Sequence, residues 1–295
     1  MALLAEVRQT IEEISGKVGP SLVGVGQRWG IGSGVIIAPG RVLTNAHNLR
    51  GEEISITFMD GRTETGTVAG ADVDGDIAVV NVDTKEAPAL GFAGADGVGI
   101  GTAVLALANP GGRGLRVTVG LVSGTERSFR GPRGRRIAGS IEHTAPLLPG
   151  SSGGPIVDEE GRLLGLNTNR IGEGFYLAIP ADDSLRERVD ALSRGEAPER
   201  PRLGVAIAPS HVAHHMRRAV GLPETDGLLV RGVSEDGPAA KAGIAEGDLI
   251  TAAGGVPLRD ADELHAALDG LKKGATLQLT LLRGTEERQV SVSFG

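Results

Sequence analysis

The sequence places a histidine, an aspartate and a pair of serines where strands meet loops, and these are residue types that nucleophilic catalysis uses. His47 ends the segment GRVLTNAH, Asp76 directly precedes the apolar run IAVVNV, and Ser151 and Ser152 lie within PGSSGGP. A serine nucleophile needs a base for its proton, a group that orients the base, and donors for the oxyanion that forms. The set therefore predicts acyl transfer by a serine hydroxyl.

Each of these residues also has a purely structural interpretation. A lone histidine after a strand is usually a surface or core residue, and an aspartate before an apolar run is commonly a turn residue. A GSSGG segment taken alone is usually only a turn. The three positions are 29 and 76 residues apart, so they meet only if the fold brings distant loops together. Their joint presence, in the order histidine, aspartate, serine, favours the catalytic interpretation.

The composition excludes several other classes of protein and site. The chain has 295 residues, of which 40% are hydrophobic, and its formal net charge is -7. It contains no cysteine, which excludes disulfides, thiolate zinc sites and cysteine nucleophiles. The acidic balance argues against a nucleic-acid partner, and the length predicts two domains with a substantial core.

No apolar run is long enough to span a bilayer, and the N-terminus has no recognisable signal peptide. As written, the sequence therefore predicts a cytoplasmic protein without a membrane span. A sequence from which a signal peptide has been removed would look the same, and in that case the protein is predicted to be exported.

The elements that must position the candidate residues are mostly short strands. From about residue 20 to 180, β-branched stretches alternate with glycine-rich turns, as in GSGVIIAPGRVLTNAH. Many short strands at this spacing predict a barrel or a sandwich rather than βαβ units. Before them, Leu4, Val7, Ile11 and Ile14 recur at spacings of three and four, which predicts an amphipathic helix packed on the body or on another subunit.

A polar, proline-containing segment, EAPERPR, follows a predicted helix in DDSLRERVDALSRG and indicates a domain boundary. The remaining residues are of mixed α and β type, with a helix capped by Asp260 and a closing hairpin, TLQLTLLRGTEERQVSVSF. The predicted organisation is an N-terminal helix at 1–19, a β domain at 20–194, a linker at 195–201 and a second domain at 202–295.

The motifs resemble those of the HtrA (DegP-like) family of serine proteases. The family's histidine motif is similar to TNAH at 44–47, its aspartate motif to DIAV at 76–79, and its serine motif to GSSGG at 150–154. Further matches are GSGVII, ANPGG, GRLLGLNT and LAIP. The resemblance implies a mainly β fold, a chymotrypsin-like double β-barrel followed by a mixed α/β PDZ domain.

The resemblance also implies which serine reacts. The family's nucleophile directly precedes the two glycines, so Ser152 is predicted to attack, with His47 as base and then acid and Asp76 holding the imidazole tautomer. The predicted oxyanion hole comprises Gly150, Ser151 and Ser152. Glycine on both sides of the serines lets the backbone turn sharply and aim the N–H groups of Gly150 and Ser152 at one point. No metal and no cofactor are required.

The first specificity pocket is predicted from the segments on either side of the serine motif. Family behaviour implies cleavage of unfolded proteins after small or aliphatic residues. The segments TAPLL and GEGFYLAIP depart from the usual family residues, which puts this preference in doubt here. The pocket candidates are Leu147, Leu148, Thr168, Tyr176 and Leu177.

The segment RLGVAI resembles the loop and strand with which PDZ domains receive a peptide C-terminus. Backbone N–H groups there can bind the terminal carboxylate while the peptide pairs with 205–208 as an added strand. Leu264 and Leu268 lie one helical turn apart and have two interpretations of equal weight: they line the peptide groove, or they are ordinary core residues. The predicted peptide-binding residues are Leu203, Gly204, Val205, Ala206, Ile207, Leu264 and Leu268.

Two charged segments each have two interpretations. His211, His214 and His215 at helical spacing lack the glutamate of H-E-x-x-H and a third-ligand cluster, so a solvated helix face is favoured over a metal site. The arginine-rich segment 127–136 lies between two predicted strands. In the family, a loop at this place senses whether the PDZ domain is occupied. The interpretation of the segment as an ordinary solvated loop has equal weight.

The leading interpretation is a PDZ-regulated serine endopeptidase that degrades unfolded or damaged proteins and binds C-terminal peptides. The alternative is a non-proteolytic chaperone or peptide-binding adaptor, which has no need of all three catalytic residues. A phosphate-binding loop fails because no lysine follows the glycines. The family resemblance implies a homotrimer built through N-terminal aromatic contacts. The first 28 residues contain no aromatic, so the apolar face of the first helix is the substitute candidate.

Overall fold

The structure is a computed structural model that describes residues 2–26, 31–92, 94, 97–170, 174–196, 200–271 and 274–294. The chain divides into two units, Met1–Pro198 and Glu199–Gly295. Residues 197–199 of the predicted linker lie outside the described residues.

The first half of the first unit is a closed six-stranded barrel, called here the first barrel. Its strands are β1 (Leu22–Val25), β2 (Gly32–Ala38), β3 (Arg41–Thr44), β4 (Glu53–Phe58), β5 (Thr63–Asp72) and β6 (Ile77–Asn81). They pair antiparallel in the order β1-β2-β3-β6-β5-β4. Short 3₁₀ turns precede β1 and follow β3, at Gly19–Ser21 and Ala46–Asn48.

A second closed barrel follows, called here the second barrel. Its strands are β7 (Ala103–Ala108), β8 (Arg116–Arg130), β9 (Arg136–His143), β10 (Pro155–Val157), β11 (Leu163–Arg170) and β12 (Tyr176–Pro180). They pair antiparallel in the order β10-β11-β12-β9-β8-β7, and a 3₁₀ turn at Pro110–Gly112 lies between β7 and β8. The predicted double β-barrel is thus confirmed.

The burial of the strands explains why the two barrels stay together. In β4, Ile54, Ile56 and Phe58 are buried while the residues between them are not, because successive side chains of a strand point to opposite faces. In β6 four successive residues are buried. Val80 faces the core inside the first barrel, whereas Val79 faces a second core shared with strands of the other barrel. Because both faces of β6 are buried, its sequence shows no alternation between polar and apolar residues.

The N-terminal helix α1 (Ala2–Val18) contributes to that shared core with its C-terminal half. Ile14 and Val18 are buried there, and Ile11 packs against them. Leu4 and Val7 are 74% and 43% exposed. The predicted apolar face therefore exists, but only its second half packs on the body of the first unit. Helix α2 (Asp183–Ser193) buries Leu185, Val189 and Leu192, as its spacing predicts.

Among the described residues, the second unit is a six-stranded sheet with three helices. Its strands run in the order β13-β14-β15-β17-β18, and β16 pairs with β15. Asp260 caps α5 through a capping box with Glu263, so the predicted cap and closing hairpin are confirmed. The elements are β13 (Val205–Ala208), α3 (Ser210–Ala219), β14 (Leu228–Val233), α4 (Pro238–Lys241), β15 (Leu249–Ala253), β16 (Val256–Pro257), α5 (Ala261–Asp269), β17 (Thr276–Arg283) and β18 (Glu286–Ser293).

Candidate active site

The barrel topology brings the three candidate catalytic residues into one cleft. His47 lies in the 3₁₀ turn after β3, and Asp76 directly precedes β6. Strands β3 and β6 are paired, with Thr44 opposite Ala78, so the end of one strand meets the start of the other. Ser152 comes from the second barrel, in the loop before β10. All three line a cleft of about 480 Å³.

The imidazole of His47 is held by a buried carboxylate. Its Nδ1 lies 2.8 Å from Asp76 Oδ2 and 2.9 Å from Oδ1, and the His47 amide donates to Oδ1 at 3.1 Å. The Thr168 hydroxyl donates to Asp76 Oδ2 at 2.6 Å. The carboxylate is 2% exposed, whereas the His47 side chain is 35% exposed. Because a carboxylate only accepts, the hydrogen of a neutral imidazole lies on Nδ1 and Nε2 faces the cleft as a base.

The backbone of Asp76 is held in an unusual conformation. Its φ is +54°, in the left-handed region that aspartate tolerates better than most residues. The carbonyl of Asp76 accepts a hydrogen bond from Asn45 Nδ2 at 2.9 Å. Asn45 is fully buried, and it belongs to the TNAH motif that also carries His47. The TNAH motif contains this asparagine, but no sequence signal indicates its contact with Asp76.

The hydroxyl of Ser152 is not engaged with the base in this structure. It donates to the Thr168 carbonyl at 3.0 Å, and within the described part of the chain no hydrogen bond joins Ser152 Oγ to His47 Nε2. A change of the serine side-chain rotamer exchanges one partner for another without moving the backbone. Such contacts are often loose in a ligand-free site and tighten when substrate binds.

The residues 148–154, called here the oxyanion loop, present two amides to the cleft. Among the described residues, the N–H groups of Gly150 and Ser152 have no protein acceptor. The amide of Ser151 donates to the Leu148 carbonyl at 3.1 Å. Ser151 is therefore a correction to the predicted oxyanion hole, since its amide is already used inside the turn and two donors remain.

The glycines of the oxyanion loop are required by close backbone contacts. Gly153 has φ +86°, and a Cβ added there would lie 2.0 Å from the Ser33 carbonyl oxygen. Gly150 has φ +88°, and its Cβ would lie 2.8 Å from Cβ of Pro110. At both positions the positive φ and the close neighbouring atoms exclude a side chain. The glycines of GSSGG are therefore required by this backbone conformation and do not simply make the turn flexible.

Comparison with known proteins agrees with this geometry. Residues 32–166 match the model of the trypsin-like peptidase domain, and residues 201–294 match that of the PDZ domain. The putative serine protease HhoA of Synechocystis sp. is 33% identical over 279 residues, which cover 89% of this chain and 70% of that protein. A solved structure, the HtrA-type protease AlgW with decapeptide, has a TM-score of 0.69 at 26% identity and covers 95% of this chain and 96% of that one.

The chain belongs to the HtrA family of serine proteases. Another relative, the probable periplasmic serine endoprotease DegP-like of Halomonas elongata, is 32% identical over 276 residues. The alignment covers 91% of this chain and 57% of that relative. The chain thus spans little more than half the length of this HtrA relative.

Four of the five residues predicted for the specificity pocket lie in this cleft. Leu147, Leu148, Thr168 and Tyr176 line the cleft. Leu177 is not among the described residues that line it, so this prediction is wrong. Because successive residues of β12 point to opposite faces, Tyr176 faces the cleft while Leu177 is buried with Phe129 and Ile137.

The hairpin between β8 and β9 also borders the cleft. Phe129, Arg130, Gly131 and Pro132 are among the lining residues. The hairpin contains the arginine-rich segment 127–136, and its Arg135 is 8% exposed and lies 4.0 Å from Asp74 in the loop that leads to Asp76. The segment is therefore not simply a solvated loop.

A second histidine lies behind the pocket wall. His143 is fully buried, stacks against Tyr176 with ring centroids 5.9 Å apart, and pairs through Nε2 with Asn167 Oδ1 at 3.0 Å. Burial lowers the pKa of His143 to about 4. This imidazole is therefore neutral at physiological pH, and no sequence signal distinguished it.

The predicted peptide-binding residues of the PDZ domain surround strand β13. In the described residues β13 pairs only with β14, so its other edge carries no strand. Leu203, Leu264 and Leu268 are 2–3% exposed in the core of the second unit. Val205 and Ile207 are half-buried against that core, and Gly204 has φ +77°. Ala206 lies between them on β13 and is exposed.

The histidines of α3 do not form a metal site. His214 Nε2 lies 3.1 Å from Asp226 Oδ1, and among the described residues no group of three His, Cys, Asp or Glu side chains could hold a metal ion. Nor does any helix in the described ranges combine the length and apolar character needed to cross a bilayer.

Proposed function

We propose that the chain is a serine endopeptidase that hydrolyses peptide bonds through an acyl-enzyme. The observation that carries the proposal is the 2.8 Å contact between His47 Nδ1 and the buried Asp76 carboxylate, in the cleft that also holds Ser152. An adaptor on the same scaffold would need neither this pair nor a glycine frame that leaves two amides unpaired. The relatives named as proteases support the same conclusion.

The geometry assigns a role to each group in the mechanism. Ser152 Oγ leaves the Thr168 carbonyl and attacks the substrate carbonyl carbon while His47 Nε2 takes its proton. The oxyanion accepts from the amides of Gly150 and Ser152. His47 then gives the proton to the leaving amine, and Asp76 stabilises the imidazolium in the meantime. Water repeats the sequence on the acyl-enzyme and releases Ser152.

The substrates we propose are unfolded or damaged proteins. The cleft is open, and its walls include the apolar side chains of Leu147, Leu148, Phe129 and Tyr176. An apolar pocket accepts an apolar side chain, which folded proteins bury and unfolded chains expose. We propose residues 20–194 as the protease domain, joined to the PDZ domain 202–295 through the linker 195–201, and the helix 1–19 as an N-terminal extension. The matched ranges 32–166 and 201–294 support this division.

We propose that the PDZ domain binds peptide C-termini by adding a strand to the edge of β13. The backbone around Leu203, Gly204 and Val205 would receive the carboxylate, and Leu264 and Leu268 would form the apolar floor beneath the peptide. The AlgW structure contains a decapeptide, which supports peptide binding in the family. Peptide binding is proposed to shift the hairpin 127–136 and raise turnover. Deletion of residues 203–295 should then abolish stimulation by peptide, and unchanged basal and stimulated rates would contradict this regulation.

The name of the Halomonas relative places that protein in the periplasm. We therefore propose an exported location for this chain in place of the cytoplasmic one that its sequence suggests. We also propose a homotrimer, for which the exposed Leu4 and Val7 provide an apolar face. Light scattering of the full chain and of a Leu4→Glu/Val7→Glu variant tests the assembly, because loss of a trimer in the variant alone supports that face.

Labelling with a fluorophosphonate probe tests the catalytic proposal most directly. The probe phosphorylates an activated serine, so the wild-type protein should label and Ser152→Ala should not. Ser151→Ala is the matched control, since it removes the neighbouring hydroxyl and should still label. A wild-type protein that is folded but unlabelled would favour the non-proteolytic chaperone or adaptor. Cleavage-site mapping on denatured casein would then give the residue preferred in the first pocket.

A further inference from the structure

We propose that Ser33 and Asn48, two residues of the first barrel, position the oxyanion loop of the second barrel for catalysis. This inference rests on the proposed protease function and assigns to both residues a role that their place in the sequence does not indicate. Ser33 belongs to the GSGVII segment of β2, and Asn48 directly follows the catalytic base. Neither residue lines the cleft among the described residues.

Ser33 makes four hydrogen bonds, and two of them tie the oxyanion loop to the first barrel. Its hydroxyl donates to the Gly150 carbonyl at 2.8 Å and accepts from the Asn109 amide at 3.0 Å. Its own amide donates to the Ser152 carbonyl at 2.8 Å, and its carbonyl accepts from the Thr44 hydroxyl at 2.7 Å. Ser33 is fully buried, so these bonds do not compete with water.

Asn48 provides the second anchor. Its Nδ2 donates to the Ser152 carbonyl at 3.0 Å and to the Thr44 hydroxyl at 3.0 Å. The side chain is nearly fully buried, and it occupies the space beside Gly32, where an added Cβ would lie 2.3 Å from Asn48 Cγ. The turn that carries the base thus also holds the backbone of the nucleophile.

These anchors act on the carbonyls next to the oxyanion donors. The Gly150–Ser151 peptide is held at its oxygen by Ser33 and at its nitrogen by the Leu148 carbonyl. The Ser152 carbonyl is held by both Ser33 and Asn48. The amides of Gly150 and Ser152 lie in the peptide groups that adjoin these held groups through the Cα atoms of the same two residues. Since each peptide group is planar, holding its neighbour restricts the rotation that would turn the two amides away from the substrate.

Gly150 makes the loop dependent on such anchoring. A glycine with φ +88° reaches other conformations more easily than any other residue, so its own backbone does little to keep the peptide in place. Without the Ser33 hydroxyl, the half-buried Gly150 carbonyl loses this donor and a rotated peptide becomes accessible. The donors would then be misplaced in the transition state although the substrate pocket is unchanged.

The test compares Ser33→Ala and Asn48→Leu with a matched control, Ser140→Ala. Ser140 is also fully buried, but within the described residues its hydroxyl has no partner, so its removal should not affect the loop. We expect the maximal rate of fluorophosphonate labelling to fall roughly 10- to 100-fold in the first two variants. The half-saturating probe concentration and the pH midpoint of labelling should stay near wild-type values, and the unfolding midpoint should stay well above the temperature of the assay.

A second measurement does not depend on activity. Hydrogen exchange of peptides that cover residues 148–154 should be faster in Ser33→Ala than in wild type and unchanged in Ser140→Ala. Labelling at the wild-type rate in both test variants overturns the inference, as does a rate loss matched by an equal loss in probe affinity or in folding. If Ser33→Ala does not fold, the labelling rate of Asn48→Leu alone tests the inference. Wild-type protein that exchanges normally but never labels contradicts the proposed function itself, and the positioning role with it.

Discussion

Thr168 Oγ1 and Asp76 Oδ2 lie 2.6 Å apart, and this hydrogen bond joins the second barrel to the carboxylate of the first. The carbonyl of the same threonine accepts the Ser152 hydroxyl at 3.0 Å. One residue of β11 therefore contacts both the group that orients the base and the nucleophile. Thr168 was predicted as a residue of the specificity pocket, but its contacts indicate that it also positions Asp76 and Ser152.

Thr168→Val should lower kcat on a cleavable peptide roughly 10- to 100-fold with little change in KM, because it removes the donor to Asp76 and keeps the shape of the side chain. Thr168→Ser is the control, since it keeps the hydroxyl. Steady-state kinetics on a peptide taken from mapped casein sites measures both. A change confined to KM would instead assign Thr168 to substrate binding.

Ser152→Ala should lower the rate of casein hydrolysis by roughly 10⁴-fold or more, because the nucleophile is lost. Ser151→Ala should cost far less, since its amide and not its hydroxyl is used in the turn, in a bond to the Leu148 carbonyl. Release of fluorescent peptides from labelled casein measures both variants. Equal losses from the two substitutions would refute the assignment of the nucleophile.

His143 should make the first unit less stable in mild acid. Its pKa is lowered by burial to about 4 from an ordinary 6.5, so between these values the unfolded chain binds a proton that the folded one does not. The free energy of unfolding therefore falls as the pH drops through this window, by about 2 kcal/mol from this residue between pH 7 and pH 5. Above pH 6.5 the effect vanishes.

Urea denaturation of the full chain at pH 7 and pH 5, with exchange of the β9 amides as the probe, measures the acid effect. His143→Gln is the control, because glutamine can still pair with Asn167 and does not titrate. The acid loss should be about 2 kcal/mol smaller in this variant. An equal loss in both proteins would show that His143 does not carry the effect.

The second unit should depend on the pair formed by Asp248 and Arg283. The guanidinium contacts both carboxylate oxygens at 2.8 Å, and the Ala245 amide donates to the same carboxylate. Burial acts to raise the pKa of Asp248, but the bonds from Arg283 and Ala245 outweigh it, and the pKa lies below its ordinary 3.8. The stabilisation is therefore present above about pH 4 and is lost as the pH falls further.

Asp248→Asn should lower the unfolding midpoint of the second unit by roughly 5 °C, since the buried side chain loses the charge that pairs with the partly exposed Arg283 guanidinium. Glu246→Gln, an exposed acid in the same loop, is the control and should have little effect. Calorimetry of the full chain at pH 7 records both. Identical midpoints for Asp248→Asn and wild type would leave the pair without a role in stability.

The strand pattern predicted a barrel or a sandwich, the resemblance of the motifs implied two barrels, and a local capping signal predicted the start of helix α5. The sequence motifs also named His47, Asp76 and Ser152, which the structure brings into one cleft. The roles of Ser33, Asn48 and Thr168 have no such signal. They depend on which loops meet between the barrels, and this is set by the pairing of β3 with β6 and the closure of β10 on β7.

Two predictions failed for reasons of geometry. Leu177 was grouped with Tyr176 as a pocket residue, although neighbours along a strand face opposite sides, and the sequence alone did not show which side faced the cleft. Ser151 was included in the oxyanion hole because it lies between two donors. Its own amide turns back to Leu148, a contact that depends on the left-handed conformation of Gly150.

The division of the site between the barrels has a consequence during synthesis. The first barrel, with His47, Asp76, Ser33 and Asn48, is complete by Asn81, whereas the nucleophile and Thr168 belong to strands that close only at Pro180. A chain still emerging from the ribosome can therefore form the pair of His47 and Asp76 before Ser152 and the amides of the oxyanion loop are in place. We therefore expect a partly synthesised chain to have no peptidase activity until both barrels have formed.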